Sequence, residues 1–403
     1  CDLQKFPQQQ FRYIQLFGMN VAKIRNAIIN ISLSLFMIFI TAELFSFFSY
    51  KYSILPINIG PSYLVNNGIN WRNENSPWGA WHKKNYTDQN KKSCFDVTYQ
   101  TNNLGARDIV DYDQNLDSNS IVLIGDSFAE GYGVSTNNSF AKWLESFTNR
   151  TVLNFGAAGS FGPVQQEIIY RKLAYPLPHS ELIQFFLPAN DFTESAIKYW
   201  QNDLHRYRPY FKKKGLEDYS IFYPEQAVKS QDYDIKNQPK NWAEKAARMT
   251  FSFNIYRNLK LLFNMYEKRQ VNSNNDSYFF NDDETIKGTL FFVNKLLKQA
   301  SKLEKRTLVI IPALGDMKKI SQGKKYQDLN WYRTIKKIAK KTDTKLIDLA
   351  EHTPTDNYKK LFFDCDSHWN PEGNKWAARI VSEQVYKNRF NHDLLNLLKK
   401  EKY

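Results

Sequence analysis

The pattern of apolar and polar positions divides the chain into three stretches. From Asn26 to Ala42 no residue is charged, and the apolar run continues past Glu43 to Phe48. About 23 such residues are enough to cross a hydrocarbon layer as a helix. Lys5, Arg12, Lys23 and Arg25 precede the run, and only Lys51 stands just after it. The charge bias predicts a cytoplasmic tail over 1–25, a membrane-crossing helix over 26–49, and everything after Tyr50 on the outer side. Asn30, Ser32 and Ser34 make the run less apolar than a typical span. The alternatives are a cleaved signal peptide, which the long preceding tail and poor cleavage signal oppose, and a buried core helix, which the apolarity opposes.

Residues 50–117 show no sustained period. They are rich in Asn, Trp and Tyr and read as an irregular extracytoplasmic segment packing on the domain C-terminal to it. Asn103-Leu104-Gly105-Ala106-Arg107-Asp108 stands out there as a polar turn with a glycine, which by itself reads as a loop.

From Ser120 onward short apolar runs alternate with helical periods. Strands are predicted at Ser120–Ile124, Thr151–Phe155, Glu181–Leu187, Arg306–Ile311 and Lys345–Leu349. Helices are predicted around Phe140–Phe147, with Phe140, Trp143, Leu144 and Phe147 on one face, from Pro163 to about Leu173, and from Pro371 to about Tyr386. Buried strands alternating with helices predict an α/β domain over 118–403, a three-layer α/β/α parallel sheet covered on both faces. Residues 195–285 break the alternation and read as a helical insertion. It holds an aromatic-basic stretch at Tyr199–Lys214, read either as a solvated face or as a groove wall. Next come a helical run from Trp242 to about Lys268 and a polar loop at Asn272–Asp283. The tail from Leu394 reads as a frayed basic helix end.

Composition changes this picture little. With 42% hydrophobic and 24% charged residues, most of the 403-residue chain is expected to fold. The net charge of +14 fits an anionic membrane surface or an acidic glycan. The lysines are scattered rather than gathered in a block, so no nucleic-acid partner is expected. Cys1, Cys94 and Cys365 are too far apart in sequence for a zinc motif, and no metal or cofactor is expected. Cys1 in first place is compatible with a processed or lipid-modified start, although a second hydrophobic anchor comes after it. An exported domain would hold Cys94 and Cys365 in an oxidising space, where a bridge would brace the loop at Asp366.

The candidate chemistry gathers at strand ends. Ser127 follows the first strand in Ile121–Gly133, IVLIGDSFAEGYG, where Gly125 permits a sharp turn. Gly159 follows the second strand, Asn190 the third, and Asp366-Ser367-His368-Trp369-Asn370 the fifth. In an open α/β sheet ligands bind beyond these carboxyl ends. His368 is placed to act as base for Ser127, with Asp366 orienting the ring. The amides of Ser127 and Gly159 and the side chain of Asn190 are candidate oxyanion donors, with Gly156 as the alternative glycine. Asp126 reads as structural.

These blocks resemble the SGNH (GDSL) hydrolase superfamily: Gly125-Asp126-Ser127, Asn154-Phe155-Gly156-Ala157-Ala158-Gly159, Ala189-Asn190-Asp191, and Asp366-Ser367-His368-Trp369-Asn370 with Pro371-Glu372-Gly373. The resemblance covers about 118–191 and 306–388. It implies a flavodoxin-like sheet and a serine-dependent acyl-ester hydrolase with Ser127, Asp366 and His368 as its triad. Many soluble members place two residues between Asp and His; here Ser367 alone separates Asp366 from His368, and Asp364 is the rival acid. The Asp-x-His-Trp form resembles the glycan O-acetyl-transferring branch. The expected substrate is an acylated carbohydrate or lipid outside the cytoplasmic membrane. The alternatives are an O-acyltransferase modifying an envelope or secreted polysaccharide, served by an acyl-donor membrane partner, and a non-catalytic glycan-binding scaffold.

Overall fold

The structure is a computed structural model, and it describes residues 9–52, 54, 60–61, 74–92, 94–159, 161–200, 208–224, 239, 241–271, 278–354 and 357–386. The predicted tail after Leu394, and the polar residues 272–277, lie outside the described residues.

The N-terminal helix α1 runs over Gln9–Lys51, longer at its start than the apolar run alone required. Its part from Lys23 to Lys51, 29 residues, is long and apolar enough to cross a membrane.

Residues 74–100 are more regular than predicted. They form two antiparallel hairpins, β1 (Glu74–Ser76) with β2 (Gly79–Trp81), and β3 (Thr87–Lys92) with β4 (Phe95–Gln100). The shortness of β1 and β2, and the lack of any apolar residue in β3, hid them. In β4 only Phe95 and Tyr99, four residues apart, are buried, so one face meets the domain and the other meets water.

The main sheet has five parallel strands: β5 (Ile121–Gly125), β6 (Val152–Gly156), β7 (Glu181–Phe186), then β10 (Lys305–Ile310) and β11 (Lys345–Asp348), which come after a third hairpin, β8 (Tyr210–Lys213) with β9 (Tyr219–Phe222). The order across the sheet is β6-β5-β7-β10-β11, the flavodoxin-like 2-1-3-4-5 arrangement. Ile121 pairs with Val152 on one side and Glu181 on the other, and Lys305 pairs with Glu181. This register brings the carboxyl ends of β5, β6 and β7 level.

Strand alternation sends side chains to two cores. Val122, Ile124, Leu153, Phe155, Leu182, Phe186, Leu308 and Ile310 belong to one. Ile121, Leu123, Val152, Ile183, Phe185, Val309 and Ile347 belong to the other. Each such side chain contributes about 1.5–3 kcal/mol on burial. The helices on the first face are α4 (Pro163–Ile169), α8 (Asp283–Gln299) and α10 (Asn330–Lys341); on the second they are α3 (Phe140–Thr148) and α11 (Pro371–Val385). The helix begun by Pro163 passes at Tyr170–Ala174 into a wider π turn.

The remaining helices are α2 (Ser127–Glu130), α5 (Pro188–Ser195), α6 (Trp242–Ala247), α7 (Phe251–Val271) and α9 (Leu314–Ser321). The single helical run predicted from Trp242 is thus two helices. The aromatic-basic stretch is not uniformly solvated: Arg208 and Tyr210 are buried, with the guanidinium 3.9 Å over the Trp200 ring and Nε donating to Tyr210 Oη at 2.9 Å. Lys212, Lys213 and Lys214 are exposed, as a solvated face requires. In the loop expected before Asp283, Tyr278 and Phe280 are buried. Tyr278 donates from its hydroxyl to Asp348 Oδ1 at 3.0 Å, and Phe280 stacks on Phe192 with centroids 4.7 Å apart.

Candidate active site

Gly125 ends β5. A Cβ there would lie 2.7 Å from Phe185 Cβ and 2.8 Å from Ala129 Cβ, so glycine lets α2 sit against the sheet. Asp126 caps α2, its Oδ1 accepting from Phe128 N at 3.0 Å. Ser127 opens that helix, which turns off at Gly131 in the left-handed region, φ +78°.

His368 Nε2 lies 2.7 Å from Ser127 Oγ, across 241 positions of sequence. The other ring nitrogen, Nδ1, faces Asp366 Oδ1, which also accepts from His368 N at 3.1 Å. With Asp366 ionised, the proton belongs on Nδ1 and Nε2 is free to accept from the serine hydroxyl. The ring lies against Phe128 and Tyr132, with centroids 5.1 Å and 4.7 Å away.

The loop carrying these residues is held from both ends. Phe362 and Trp369 form an antiparallel bridge, and Phe363 N donates to His368 O at 3.0 Å. Asn370 Oδ1 then caps α11 by accepting from Gly373 N at 3.0 Å. The structure brings Asp366 to the ring, whereas Asp364 is exposed.

Two contacts reach this loop from the β3–β4 hairpin, an ion pair the sequence did not reveal and the Cys94–Cys365 bridge it suggested. Lys92 Nζ pairs with Asp366 Oδ2 and lies 5.2 Å from the Tyr132 ring. Cys94 is bonded to Cys365, with their Cα atoms 5.7 Å apart. Burial alone would raise the Asp366 carboxyl. The hydrogen bond and charge of His368, with Lys92, outweigh it and hold the group well below the usual carboxylate range. Burial likewise acts to lower Lys92, but Tyr132 and Asp366 prevail and its pKa is raised.

The turn read as a plain loop at 103–108 is the buckle of the site. Asn102 Oδ1 accepts from Leu104 N and Ala106 N, both at 3.0 Å. Gly105 sits at φ +77°, and a Cβ there would lie 2.6 Å from both His82 O and Trp81 Nε1. Arg107 is buried and stacks 3.6 Å over Tyr99. Its guanidinium donates to Glu130 O at 3.0 Å and to the carbonyls of Gly131 and Val134. It thereby holds the chain leaving Ser127. A buried charge beside a glycine turn was the only signal, and one sequence does not show burial.

Gly159 follows β6 with φ +92°, a conformation that favours glycine. Gly156 has a different duty: a Cβ there would meet Glu130 N at 2.2 Å, so it is the floor on which α2 rests. Asn190 lies in the first turn of α5, half-buried, just past β7. Its neighbour Asp191 is buried and accepts from Leu187 N at 2.8 Å. Burial raises Asp126 to about 6, with Glu130 adding to the effect. Burial raises Asp191 well above the usual range, and the Asp126 and Glu194 charges add to it. Among the described residues no group of three or more His, Cys, Asp and Glu side chains is placed to hold a metal ion.

No family model and no curated protein matches the chain by sequence. Solved structures that it is similar to include a member of the lipolytic protein G-D-S-L family from Veillonella parvula DSM 2008, at 12% identity over 67% of this chain and 98% of that one, TM-score 0.33. A lipase/acylhydrolase from Enterococcus faecalis matches at 11% identity over 68% and 97%, TM-score 0.36. Axe2, an acetylxylan esterase from Geobacillus stearothermophilus, matches at 10% identity over 69% and 99%, TM-score 0.35. These superpositions are loose, and the class is defined by this chain's own features. It has a five-stranded parallel α/β sheet in flavodoxin-like order, with serine, histidine and aspartate hydrogen-bonded in series at the strand tips. That is the arrangement expected of the SGNH/GDSL type which the sequence blocks resemble.

Proposed function

We propose that this protein is a serine-dependent acyl-ester hydrolase acting outside the cytoplasmic membrane on an acylated carbohydrate or lipid. The observation that carries the reading is the 2.7 Å contact between Ser127 Oγ and His368 Nε2, with Nδ1 turned to Asp366. Ser127 attacks the ester carbonyl as Nε2 takes its proton. The resulting imidazolium is stabilised by Asp366 and returns the proton to the departing alcohol. Water then enters by the same route in reverse and frees the acid. The amides of Ser127 and Gly159 and the Asn190 side chain are the donors assigned to the oxyanion. Each is worth roughly 3–4 kcal/mol in the transition state.

The location rests on two supports. Basic residues stand before the apolar part of α1, which orients its start to the cytoplasm. The Cys94–Cys365 disulfide suits an oxidising compartment beyond it. On this reading 1–25 is a cytoplasmic tail, 26–49 crosses the membrane, and 118–403 is the catalytic domain.

Transfer to a sugar hydroxyl uses the same acyl-enzyme, and the Asp-x-His-Trp form keeps it in view. It would draw its acyl group from a donor partner in the membrane. The detergent-solubilised chain, given p-nitrophenyl acetate, is expected to release nitrophenolate, and Ser127→Ala to lose nearly all of that activity. With an oligosaccharide acceptor present, free acetate outpacing acetylated sugar supports hydrolysis. The opposite order assigns transfer. Release that persists in Ser127→Ala leaves the scaffold reading.

A further inference from the structure

Among the residues whose side chains are described, 251–260 and 263, helix α7 turns polar groups inward and apolar groups outward, the reverse of an element facing water. Asn254 and Asn258, four residues apart, are buried. Asn254 Nδ2 donates to Arg248 O at 2.8 Å and Thr250 O at 2.7 Å, and Asn258 Nδ2 to Asn254 O at 2.8 Å. Tyr256, Leu259 and Phe263 are 56%, 51% and 62% exposed. At about 100° per residue those three fall within about 60° of one another and about half a turn from Asn254. A surface helix in water shows the reverse, apolar inward and polar outward. Polar inward and apolar outward suits a helix bathed in lipid.

The neighbour of α7 is the apolar helix α1. Glu43 of α1 accepts from Phe251 N through Oε2 and from Ser252 N through Oε1, both at 2.9 Å, and also from the Ser252 hydroxyl. A carboxylate inside an apolar segment needs such partners. The Phe251 ring meets Phe47 at 5.3 Å and Tyr50 at 5.7 Å between centroids. Glu43 lies eight residues before the end of α1 at Lys51, or about 12 Å along the axis, so α7 starts at the depth of the apolar segment. There Leu44, Phe45 and Phe48 are exposed, as are Trp242 and Met249 around α6. Lys245 and Lys260 are also exposed and suit anionic headgroups.

We propose that α7 is a second membrane contact. It lies in the boundary between headgroups and acyl chains of an anionic bilayer, with Tyr256, Leu259 and Phe263 turned into the lipid. The proposal rests on the reading of α1 as a membrane-crossing helix. It implies that the catalytic domain is held against the surface at two points rather than hanging from one.

The test places single cysteines in the full chain carrying Cys1→Ser: Leu259→Cys, Phe263→Cys, Leu35→Cys in α1, and Lys337→Cys on the exposed side of α10. Each is labelled with bimane in nanodiscs of phosphatidylcholine and phosphatidylglycerol. Labels at 259, 263 and 35 are expected to be quenched severalfold by doxyl lipids and shielded from iodide, with the reverse at 337. Iodide quenching at 259 and 263, with doxyl quenching kept at 35, overturns this inference alone. Shielding from both quenchers at 259 and 263 overturns it in favour of a protein surface such as a second copy. Iodide quenching at 35 as well removes the membrane reading of α1, and this inference with it.

Discussion

Lys92 and Asp366 stand 274 positions apart in sequence and meet as an ion pair beside the His368 imidazole. The carboxylate is shared, with Oδ1 turned to the ring and Oδ2 to the ammonium. Lys92 thereby acts as a positioning residue, keeping Asp366 ionised and fixed. Charge-assisted hydrogen bonds of this kind contribute about 1.5–3 kcal/mol. Lys92→Met should therefore lower ester hydrolysis by about tenfold or more. Asp366 is held low in the folded protein, so losing the ammonium raises it, and the acid limb of the rate–pH profile moves toward neutrality. Lys92→Arg should restore much of the rate. An unmoved acid limb in Lys92→Met would contradict the role.

The disulfide between Cys94 and Cys365 ties the same hairpin to the same loop. Closing so long a loop typically adds about 2–4 kcal/mol. Cys94→Ser with Cys365→Ser should lower Tm by about 5–10 °C in differential scanning calorimetry. Activity should fall further than Tm at assay temperature accounts for, because the loop bearing His368 is released.

Gly105 and Arg107 make a prediction about the buckle. A Cβ at Gly105 collides with the Trp81 indole and His82 carbonyl at 2.6 Å, in a left-handed backbone conformation. Gly105→Ala should cost on the order of 2 kcal/mol or more. Arg107→Met removes a buried donor from three carbonyls, of which Gly131 O keeps Val134 N, and should cost at least as much. Thermal melts of the solubilised chain measure both. A change below about 0.5 kcal/mol in either would show that the turn is ornamental.

Asp126 predicts a pH dependence. Its folded value, about 6, is raised above the ordinary 3.8 mainly by burial. The folded state therefore holds the proton more tightly than the unfolded chain. Its contribution to stability is full below about pH 4 and declines as pH rises through about 6. Asp126→Asn, which keeps the Oδ1 acceptor for Phe128 N, should flatten that slope by on the order of 1–3 kcal/mol. Melting temperatures taken from pH 4 to pH 7 test it, and an unchanged slope would refute it. Asp191, raised in the same direction, should leave a residual slope.

Much of the scaffold was legible because its strands are continuous apolar runs and its helices begin at Pro163 and Pro371. Ser127, Asp366 and His368 were legible because each follows such a run, and a parallel sheet gathers strand ends. The β3–β4 hairpin was not, since Thr87–Lys92 reads TDQNKK and carries no hydrophobic alternation. The cysteines suggested its tie to the loop at Asp366, but the Lys92–Asp366 pair depends on tertiary contact, which neither period nor composition encodes. Arg107 was missed for the same reason. In sequence it is one basic residue in a turn; in the fold it has three carbonyls to hold. The split of the helical run at Trp242 was hidden because Arg248-Met249-Thr250 contains neither Gly nor Pro.

Activation of Ser127 by His368 underlies every catalytic statement above, and fluorophosphonate labelling followed by peptide mass spectrometry probes it without an assumed substrate. The wild-type chain should carry one phosphonyl adduct, on the peptide containing Ser127, and His368→Gln should slow its formation by a factor of about a hundred or more. An adduct elsewhere, or labelling of Ser127 at the wild-type rate in His368→Gln, would show that the two residues do not work as a pair.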